Sequence, residues 1–227
     1  MQGLQEIGRW FSYIILNGLP ATLFLTLVGL GIGFLLGLMI AFIRVYAPRP
    51  LKWIVSGYER IFRSIPILVL MFIFAIGTPQ LFAWAGPGYV FAAVAIALAL
   101  RSSAYQAGIF RSAILSVDKG QLLAAQSIGM STIQANRHIV LPQAFRLAVP
   151  GWSNEYAVVI KDTSFAMAVG ITEMNKLALN LQVEAPALML PILFTLTIVY
   201  FCFTYPVTKF VGEYMTKKLK RLGLGGG

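Results

Sequence analysis

Side chains that could do chemistry gather near residue 160, inside a stretch that is otherwise apolar. Lys161 and Asp162 place opposite charges side by side, and Thr163 and Ser164 follow with hydroxyl groups. Neighbouring residues on a helix point about 100° apart, so we expect the partners of these charges on other helices or on another subunit. The group either lines or couples a water-filled pathway or forms a structural polar contact, and the sequence leaves both interpretations open.

Residues for catalysis or metal binding are sparse elsewhere. The chain has one histidine, His138, one cysteine, Cys202, and eight scattered acidic residues, with no Cys/His cluster at metal-ligand spacing. No GxxxxGK[ST] sequence occurs, so we do not expect this chain to bind or hydrolyse ATP. We predict a protein that is not an enzyme and holds neither a metal nor another cofactor. Cys202 stands in an apolar run, which predicts a buried thiol without a disulfide.

The composition is that of a membrane protein. Of the 227 residues, 58% are hydrophobic and only 11% are charged, with a mean hydropathy of +0.78, whereas soluble domains are roughly one-quarter charged. A core of this size cannot hide so much apolar surface from water, so the excess must face lipid. The net charge of +10 admits nucleic acid as a partner, but the positions of the charges, described below, favour a membrane.

Apolar segments long enough to cross a bilayer of about 30 Å predict an all-α integral membrane protein with about five transmembrane helices. We predict an interfacial N-terminal helix at 1–16, anchored by Trp10 and Tyr13, and a single transmembrane domain at 17–213. A basic, flexible tail follows at 214–227. The predicted spans cover about residues 18–43, 57–77, 89–109, 152–171 and 188–211.

Glycines recur at helical spacing in the first predicted span, at positions 29, 33 and 37. A Gly-x-Gly pattern also occurs in nucleotide-binding loops, but here it lies in mid-membrane with no strand before it. Glycines four residues apart let helix backbones approach closely. We therefore predict a helix-packing face.

A polar, basic insert interrupts the apolar segments between Leu123 and Pro142. Gly129 predicts the end of a short helix, and Ser131, three residues before Gln134, has the spacing of a capping box that starts a second helix. We expect the second helix to close near Pro142. Two short helices joined by a tight corner would form a compact projection, here called the knob (residues 123–142).

The knob resembles the EAA loop of the membrane subunits of bacterial and archaeal ABC importers. That signature reads Glu-Ala-Ala, three residues, Gly, nine residues, then Ile-x-Leu-Pro, and Leu123 stands here in place of the acid. A wider resemblance to the polar amino-acid branch (histidine, glutamate, glutamine, arginine and opines) runs through YERIFRSIPILVL (58–70), AYQAGIFRSAI (104–114), LPQAFRLAVP (141–150) and KDTS (161–164). The matching residues of the knob are Ala124, Ala125, Gly129, Ile139, Leu141 and Pro142.

The resemblance implies a permease subunit for polar amino acids, whose cytoplasmic coupling loop (111–146) docks an ATP-binding cassette subunit that binds the ATP. It assigns this docking to the matching residues and to Ser131. An extracytoplasmic amino-acid-binding protein and a second permease subunit are also implied. Leu123 either makes the dock more apolar or indicates that a non-identical permease supplies the acid, which slightly favours a heterodimer over a homodimer.

Glu155 follows Asn154 where the polar amino-acid family often has an Asn-Glu pair. By resemblance, Glu155 would meet the ammonium group of a translocating amino acid. Alternatively, it is an acid at the start of a helix, where the helix dipole favours negative charge. The candidate substrate pathway thus comprises Glu155 and residues 161–164.

The basic residues give the expected orientation if the knob is cytoplasmic. Of the 18 Lys and Arg, 15 lie in the connector 44–63, in the segment 101–146 or from residue 209 onward. Positive residues tend to remain in the cytoplasm, so we predict a multi-pass protein of the cytoplasmic (inner) membrane with its N-terminus outside and its C-terminus inside. Lipid head groups and topology then account for the basic surplus without nucleic acid.

Two other classes of function compete with this interpretation. A secondary transporter would need ion-coupling acids in broken helices and usually two inverted repeats, which the sequence does not show. A membrane scaffold subunit without an ATPase partner would need no docking knob.

Overall fold

The computed structural model describes the backbone of residues 2–221 and the side chains of residues 6–181 and 183–221. This part of the chain is helical and contains no strand, which confirms the predicted all-α class. Residues 222–227, the end of the predicted flexible tail, lie outside the described residues. The α-helices are α1 (Gln2–Tyr46), α2 (Arg49–Ser64), α3 (Ile67–Phe72), α4 (Tyr89–Leu115), α5 (Lys119–Ser127), α6 (Thr132–Ala135), α7 (Leu141–Asp162), α8 (Met174–Glu184), α9 (Met189–Pro206) and α10 (Tyr214–Arg221). Short π-helical segments (Ile73–Gly77, Asn136–Val140, Val207–Glu213) and 3-10 segments (Pro79–Gly88, Thr163–Val169, Pro186–Leu188) extend or join them.

Within the described residues, three helical segments are long and apolar enough to cross a membrane: Glu6–Tyr46, Pro79–Leu115 and Pro186–Arg221. A fourth candidate is the bent pair Arg49–Ser64 and Ile67–Gly77. The remaining predicted span, 152–171, falls in α7 and the 3-10 segment after it, where ionisable side chains lower the hydropathy. The number of five spans therefore stays a prediction.

The first span and the predicted N-terminal helix are one element. We expected a separate interfacial helix at 1–16, but α1 continues without a break through Gly18 and Pro20. Gly18 serves close packing here, because a Cβ at this position would lie 2.7 Å from the backbone of Met174. Proline is tolerated inside membrane helices, so Pro20 does not end the helix.

The second span is broken near its middle. Its two halves, α2 and the segment Ile67–Gly77, meet at an angle of 101°. Pro66 explains the break, since the residue before a proline is pushed out of the helical region and Ile65 has φ −83° and ψ 127°. The span predicted at 57–77 is thus two half-helices.

The glycines of α1 form the predicted packing face against α4. A Cβ on Gly33 would lie 2.8 Å from Nε2 of Gln106, and a Cβ on Gly37 would lie 2.9 Å from the carbonyl oxygen of Ser103. Gly31 points elsewhere, and no described atom lies within 4 Å of the position that a Cβ on it would take. The prediction of helix packing is confirmed.

The last long helix, α9, is apolar on all sides, so the sequence could not indicate which side faces the bundle. Ile192, Leu196 and Val199 face inward, whereas Cys202 is exposed. The prediction of a buried thiol was wrong for this reason.

Candidate functional site

The first arm of the knob is the C-terminal half of α5, a helix that is capped at both ends. Asp118 accepts a hydrogen bond from the backbone N–H of Gly120 at 2.6 Å. At the other end the N–H of Met130 donates to the carbonyl of Ala125 (3.1 Å) and that of Gly129 to Gln126 (3.0 Å), which is the Schellman pattern. Gly129 has φ +88°, a backbone conformation that costs a residue with a Cβ about 1–2 kcal/mol. The predicted glycine stop is confirmed.

The second arm begins at Ser131 with the predicted capping box. The N–H of Gln134 donates to Oγ of Ser131 at 3.3 Å, and the N–H of Ser131 donates to Oε1 of Gln134 at 2.8 Å. We expected this arm to end near Pro142, but it continues from Thr132 into α7. The prediction of its end was therefore wrong. The π-helical segment before Pro142 accommodates the ring, and the N–H of Leu141 bonds the carbonyl of Asn136 one residue further back than in an α-helix.

The knob presents apolar side chains outward. Leu123 is 63% exposed, and Ile128 and Ile133 are each 79% exposed. Small residues, Ala125 and Ala135, are buried where the two arms meet. Of the other predicted docking residues, Ala124, Ser131 and Pro142 are exposed, whereas Ile139 and Leu141 are half-buried.

Polar contacts hold the knob against the rest of the bundle. Nε2 of Gln143 donates to Oε1 of Gln121 at 2.5 Å, which ties α5 to α7. The hydroxyl of Tyr46, at the end of α1, donates to Oδ1 of Asn136 at 2.6 Å. The knob is therefore a supported projection whose apolar surface no described residue covers.

A buried chain of hydrogen bonds, here called the polar network (Ser102, Gln106, Trp152 and Glu155), joins α4 to α7. Oγ of Ser102 donates to Oε1 of Glu155 at 2.8 Å, and Nε2 of Gln106 lies 3.0 Å from Oγ of Ser102. Nε1 of Trp152 donates to Oε1 of Gln106 at 3.0 Å. Glu155 lies well inside α7, so the alternative of an acid at a helix start was wrong.

Glu155 also lines a cavity of about 720 Å³ between α1, α2, α4, α7 and α10. Asn154 stands beside it, and charges of both signs complete the wall. Arg44 Nε and Glu59 Oε2 are 3.5 Å apart, but neither Arg44 Nε nor Glu59 Oε1 has a hydrogen-bond partner among the described residues. This charged cavity is lined by Arg44, Glu59, Arg63, Arg111, Asn154 and Glu155, among others. A solute carrying both charges fits such a lining.

Asp162 pairs with Arg101 of α4, whose Nη1 is 2.5 Å from Oδ2 of the carboxylate. The two side chains are only 13% and 16% exposed, and the guanidinium lies 4.8 Å from the centre of the Tyr105 ring. The expected partner on another helix is thus confirmed for Asp162. Sequence reasoning did not single out Arg101, which lies within the predicted span 89–109. The geometry favours the interpretation of Asp162 as a structural contact.

The other three members of the predicted pathway group separate. Thr163 is fully buried, donates to the carbonyl of Ile160 at 2.6 Å and lines neither cavity, so its place in a pathway stays a prediction. A hydroxyl that follows a helix end readily bonds the preceding turn. Lys161 and Ser164 line a second cavity, of about 430 Å³, between α7, α8 and α9.

Three members of the polar network were not singled out from the sequence. A signal was present, because Ser102 and Gln106 are polar residues four apart in an apolar helix and therefore share a face. Neither residue carries a charge, and the prediction of site residues relied on ionisable groups.

The bundle of apolar helices, the exposed knob and the charged cavity define a membrane component of a transport system. Residues 33–217 match the family described as binding-protein-dependent transport system inner membrane component, and the chain belongs to this family. It is 39% identical over 160 residues to a probable amino-acid permease protein, YxeN, of Bacillus subtilis (strain 168), covering 70% of this chain and 71% of that one.

Two further similarities cover nearly the whole length. The nopaline transport system permease protein NocM of Agrobacterium fabrum (strain C58 / ATCC 33970) is 33% identical over 221 residues, covering 93% of this chain and 91% of that one. A crystal structure of an amino acid ABC transporter with histidines is 29% identical with a TM-score of 0.79, covering 95% of this chain and 97% of that one.

Proposed function

We propose that this chain is the permease subunit of an ATP-driven ABC importer that moves polar amino acids across the inner membrane. Relatives named for nopaline, L-cystine, glutamine and arginine transport support this class of substrate. Membership of the family implies an ATP-binding subunit and a substrate-binding protein as partners. A second permease subunit completes the proposed complex, and Leu123 slightly favours one that is not identical to this chain.

One observation carries the proposal. The second arm of the knob and the wall of the charged cavity belong to one continuous helical run, from Thr132 through α7 to Asp162. A displacement of the knob by a docked ATPase subunit is therefore transmitted along this helix to Glu155. Docking involves Ala124, Ala125, Gly129, Ser131, Ile139, Leu141 and Pro142, together with the exposed side chains of the knob.

Among the residues that line the charged cavity, Glu155 is the one that we propose binds the substrate. Among the described residues, its carboxylate has one hydrogen-bond donor, Ser102, and an ionised carboxylate can accept several bonds. An α-ammonium group in the cavity would supply further donors. Because the ammonium is charged, each such bond contributes about 1.5–3 kcal/mol.

The proposed topology has five spans, with the knob and the C-terminus in the cytoplasm and the N-terminus outside. Ser131→Cys and Gly86→Cys, each in a Cys202→Ala background because Cys202 is exposed, should label from opposite sides of the membrane. An impermeant thiol reagent added to intact cells is expected to label only position 86. Labelling of both positions from outside would contradict this topology.

Transport is tested in liposomes that contain this chain, the ATPase subunit and the binding protein produced together. We expect uptake of tritiated L-arginine, L-glutamine or L-cystine that requires ATP, and its loss in Glu155→Gln. Glu213→Gln is the matched control, because Glu213 is exposed and its ion pair, with Lys209, lies at the surface. Uptake that needs no ATPase subunit and follows an ion gradient would contradict the proposal and indicate a secondary transporter.

A further inference from the structure

The helix α10 (Tyr214–Arg221) has two opposite faces. On one of them Leu219 is only 5% exposed. The other, here called the basic face, consists of four exposed cations: Lys217, Lys218, Lys220 and Arg221. At about 100° per residue the four cations cover an arc of roughly 160°, and Leu219 lies opposite the middle of this arc. The helix thus turns one face to the protein and offers the other to a further partner.

The protein side of α10 forms part of the wall of the charged cavity. Thr216 and Leu219 line this cavity together with Leu147 of α7. The segment before α10 lies directly against α7, because a Cβ on Gly212 would be 2.3 Å from Oγ of Ser153. The start of α10 is therefore fixed against the bundle, and the helix covers one side of the cavity.

The basic face has no acidic partner among the described residues. The ion pairs found in that part of the chain lie elsewhere, and the nearest acid in sequence, Glu213, is engaged by Lys209 at 3.0 Å. Like charges four residues apart on a helix, such as Lys217 and Arg221, destabilise it. An anionic surface next to this face would relieve that repulsion.

The distance of α10 from the last predicted span brings such a surface within reach. This span, 188–211, ends six residues before Lys217 and ten before Arg221, which corresponds to about 9–15 Å along a helix. The polar head-group layer extends about 5–8 Å beyond the hydrocarbon on each side. The charge of its surface acts across about 10 Å more at 0.1 M salt. All four cations therefore lie within the field of the lipid phosphates.

We infer that the basic face of α10 binds the phosphates of anionic phospholipids and thereby holds Leu219 against the charged cavity. Clusters of four or more Lys and Arg beside a membrane helix are typical binding sites for anionic lipid. With the C-terminus in the cytoplasm, as proposed above, these lipids belong to the cytoplasmic leaflet. A larger anionic fraction in this leaflet keeps α10 closed over the cavity for more of the time.

The test measures amide hydrogen exchange of residues 214–221 in the full-length chain, because exchange reports how often a local unit opens. Nanodiscs of phosphatidylcholine alone are compared with nanodiscs that also contain phosphatidylglycerol. Each Lys or Arg near an anionic surface contributes about 1 kcal/mol, a factor of about five. We expect exchange to be slower by about tenfold or more in the anionic nanodiscs, and high salt to abolish the difference.

Variants of α10 separate lipid binding from packing. Lys217→Gln/Lys218→Gln/Lys220→Gln/Arg221→Gln should exchange at the same rate in both lipids. The matched control Lys217→Arg/Lys218→Arg/Lys220→Arg keeps all four charges and should keep the difference. Leu219→Ala should exchange faster than the wild type in both lipids, since it loses the contact with the cavity wall but retains the basic face.

Three results would overturn the inference. Equal exchange of the wild type in the two lipids would show that the basic face is only solvated. A difference that persists in the glutamine variant would place the action of the lipid elsewhere. Slower exchange only after addition of the ATPase subunit, in either lipid, would make an acidic protein surface the partner. The measurement requires no transport, so each of these results leaves the proposed function unaffected.

Discussion

The knob and the interface between α4 and α7 differ in opposite ways from a typical protein, which buries apolar side chains and exposes polar ones. In the knob, Ile128 and Ile133 are apolar and 79% exposed. In the interface, Gln106 and Glu155 are polar and at most 4% exposed. In the interface, hydrogen bonds between α1, α4 and α7 engage the buried polar groups, whereas no described residue covers the apolar side chains of the knob.

Because of this difference, the stability of the fold depends on the interface, whereas the binding of a partner depends on the knob. A buried polar group that loses its partner destabilises the fold at once, because it has no access to water. An exposed apolar group leaves the fold unchanged when it is replaced, and its loss is felt only by whatever binds it. Substitutions in the two regions should therefore affect different observables, stability in the bundle and docking at the knob.

The largest effect on stability is expected from Asp162→Asn. The substitution is nearly isosteric but leaves Arg101 without its anion in a site where both side chains are largely buried. Breaking such a pair costs about 3–5 kcal/mol. We expect a lower free energy of unfolding for the purified subunit in detergent. The double variant Arg101→Gln/Asp162→Asn should recover part of this loss, since neither charge then remains alone. Unchanged stability of the single variant would show that the pair is solvated.

A smaller loss is expected where α1 packs on α4. Gly37→Ala would place a Cβ 2.9 Å from the carbonyl oxygen of Ser103, and such overpacking costs about 1–3 kcal/mol. Gly31→Ala is the control, because no described atom lies within 4 Å of the added Cβ. Thermal unfolding of the two variants in one detergent compares them directly. Equal unfolding temperatures would contradict the close packing of these helices.

The smallest global effect is expected at the corner of the knob. Gly129→Val forces a β-branched side chain into φ +88°, at a local cost of about 1–2 kcal/mol. We expect faster hydrogen exchange at the amides of residues 119–135, with little change in the unfolding of the bundle. Gly129→Asn should exchange like the wild type, since asparagine tolerates this conformation. Fast exchange throughout the bundle would mean that the knob is not a local unit.

Local signals in the sequence were sufficient for much of the fold and for the knob. Ser131 and Gln134 form the capping box that their spacing predicts, and Gly129 ends the helix before it, because both features depend on residues close in sequence. The packing face of glycines was also predictable, since membrane helices approach closely where side chains are small.

Contacts between distant segments could not be predicted in the same way. The pairing of Asp162 with Arg101 joins residues 61 positions apart, and no local pattern specifies it. The second arm continues past Pro142 because the segment Asn136–Val140 is π-helical, and no sequence pattern predicts this segment. Thr163 was placed in the pathway because it is polar, although its hydroxyl bonds its own helix.

We propose that the knob docks an ATPase subunit while the bundle carries the solute. Copurification of a coexpressed ATPase subunit with tagged permease variants tests it most directly. Ile128→Asp/Ile133→Asp should lose the ATPase subunit while it retains the unfolding temperature of the wild type. Val183→Asp, which alters an equally exposed apolar residue outside the knob, and Glu155→Gln should both retain the subunit. Full retention of the ATPase subunit by the double knob variant would contradict the account.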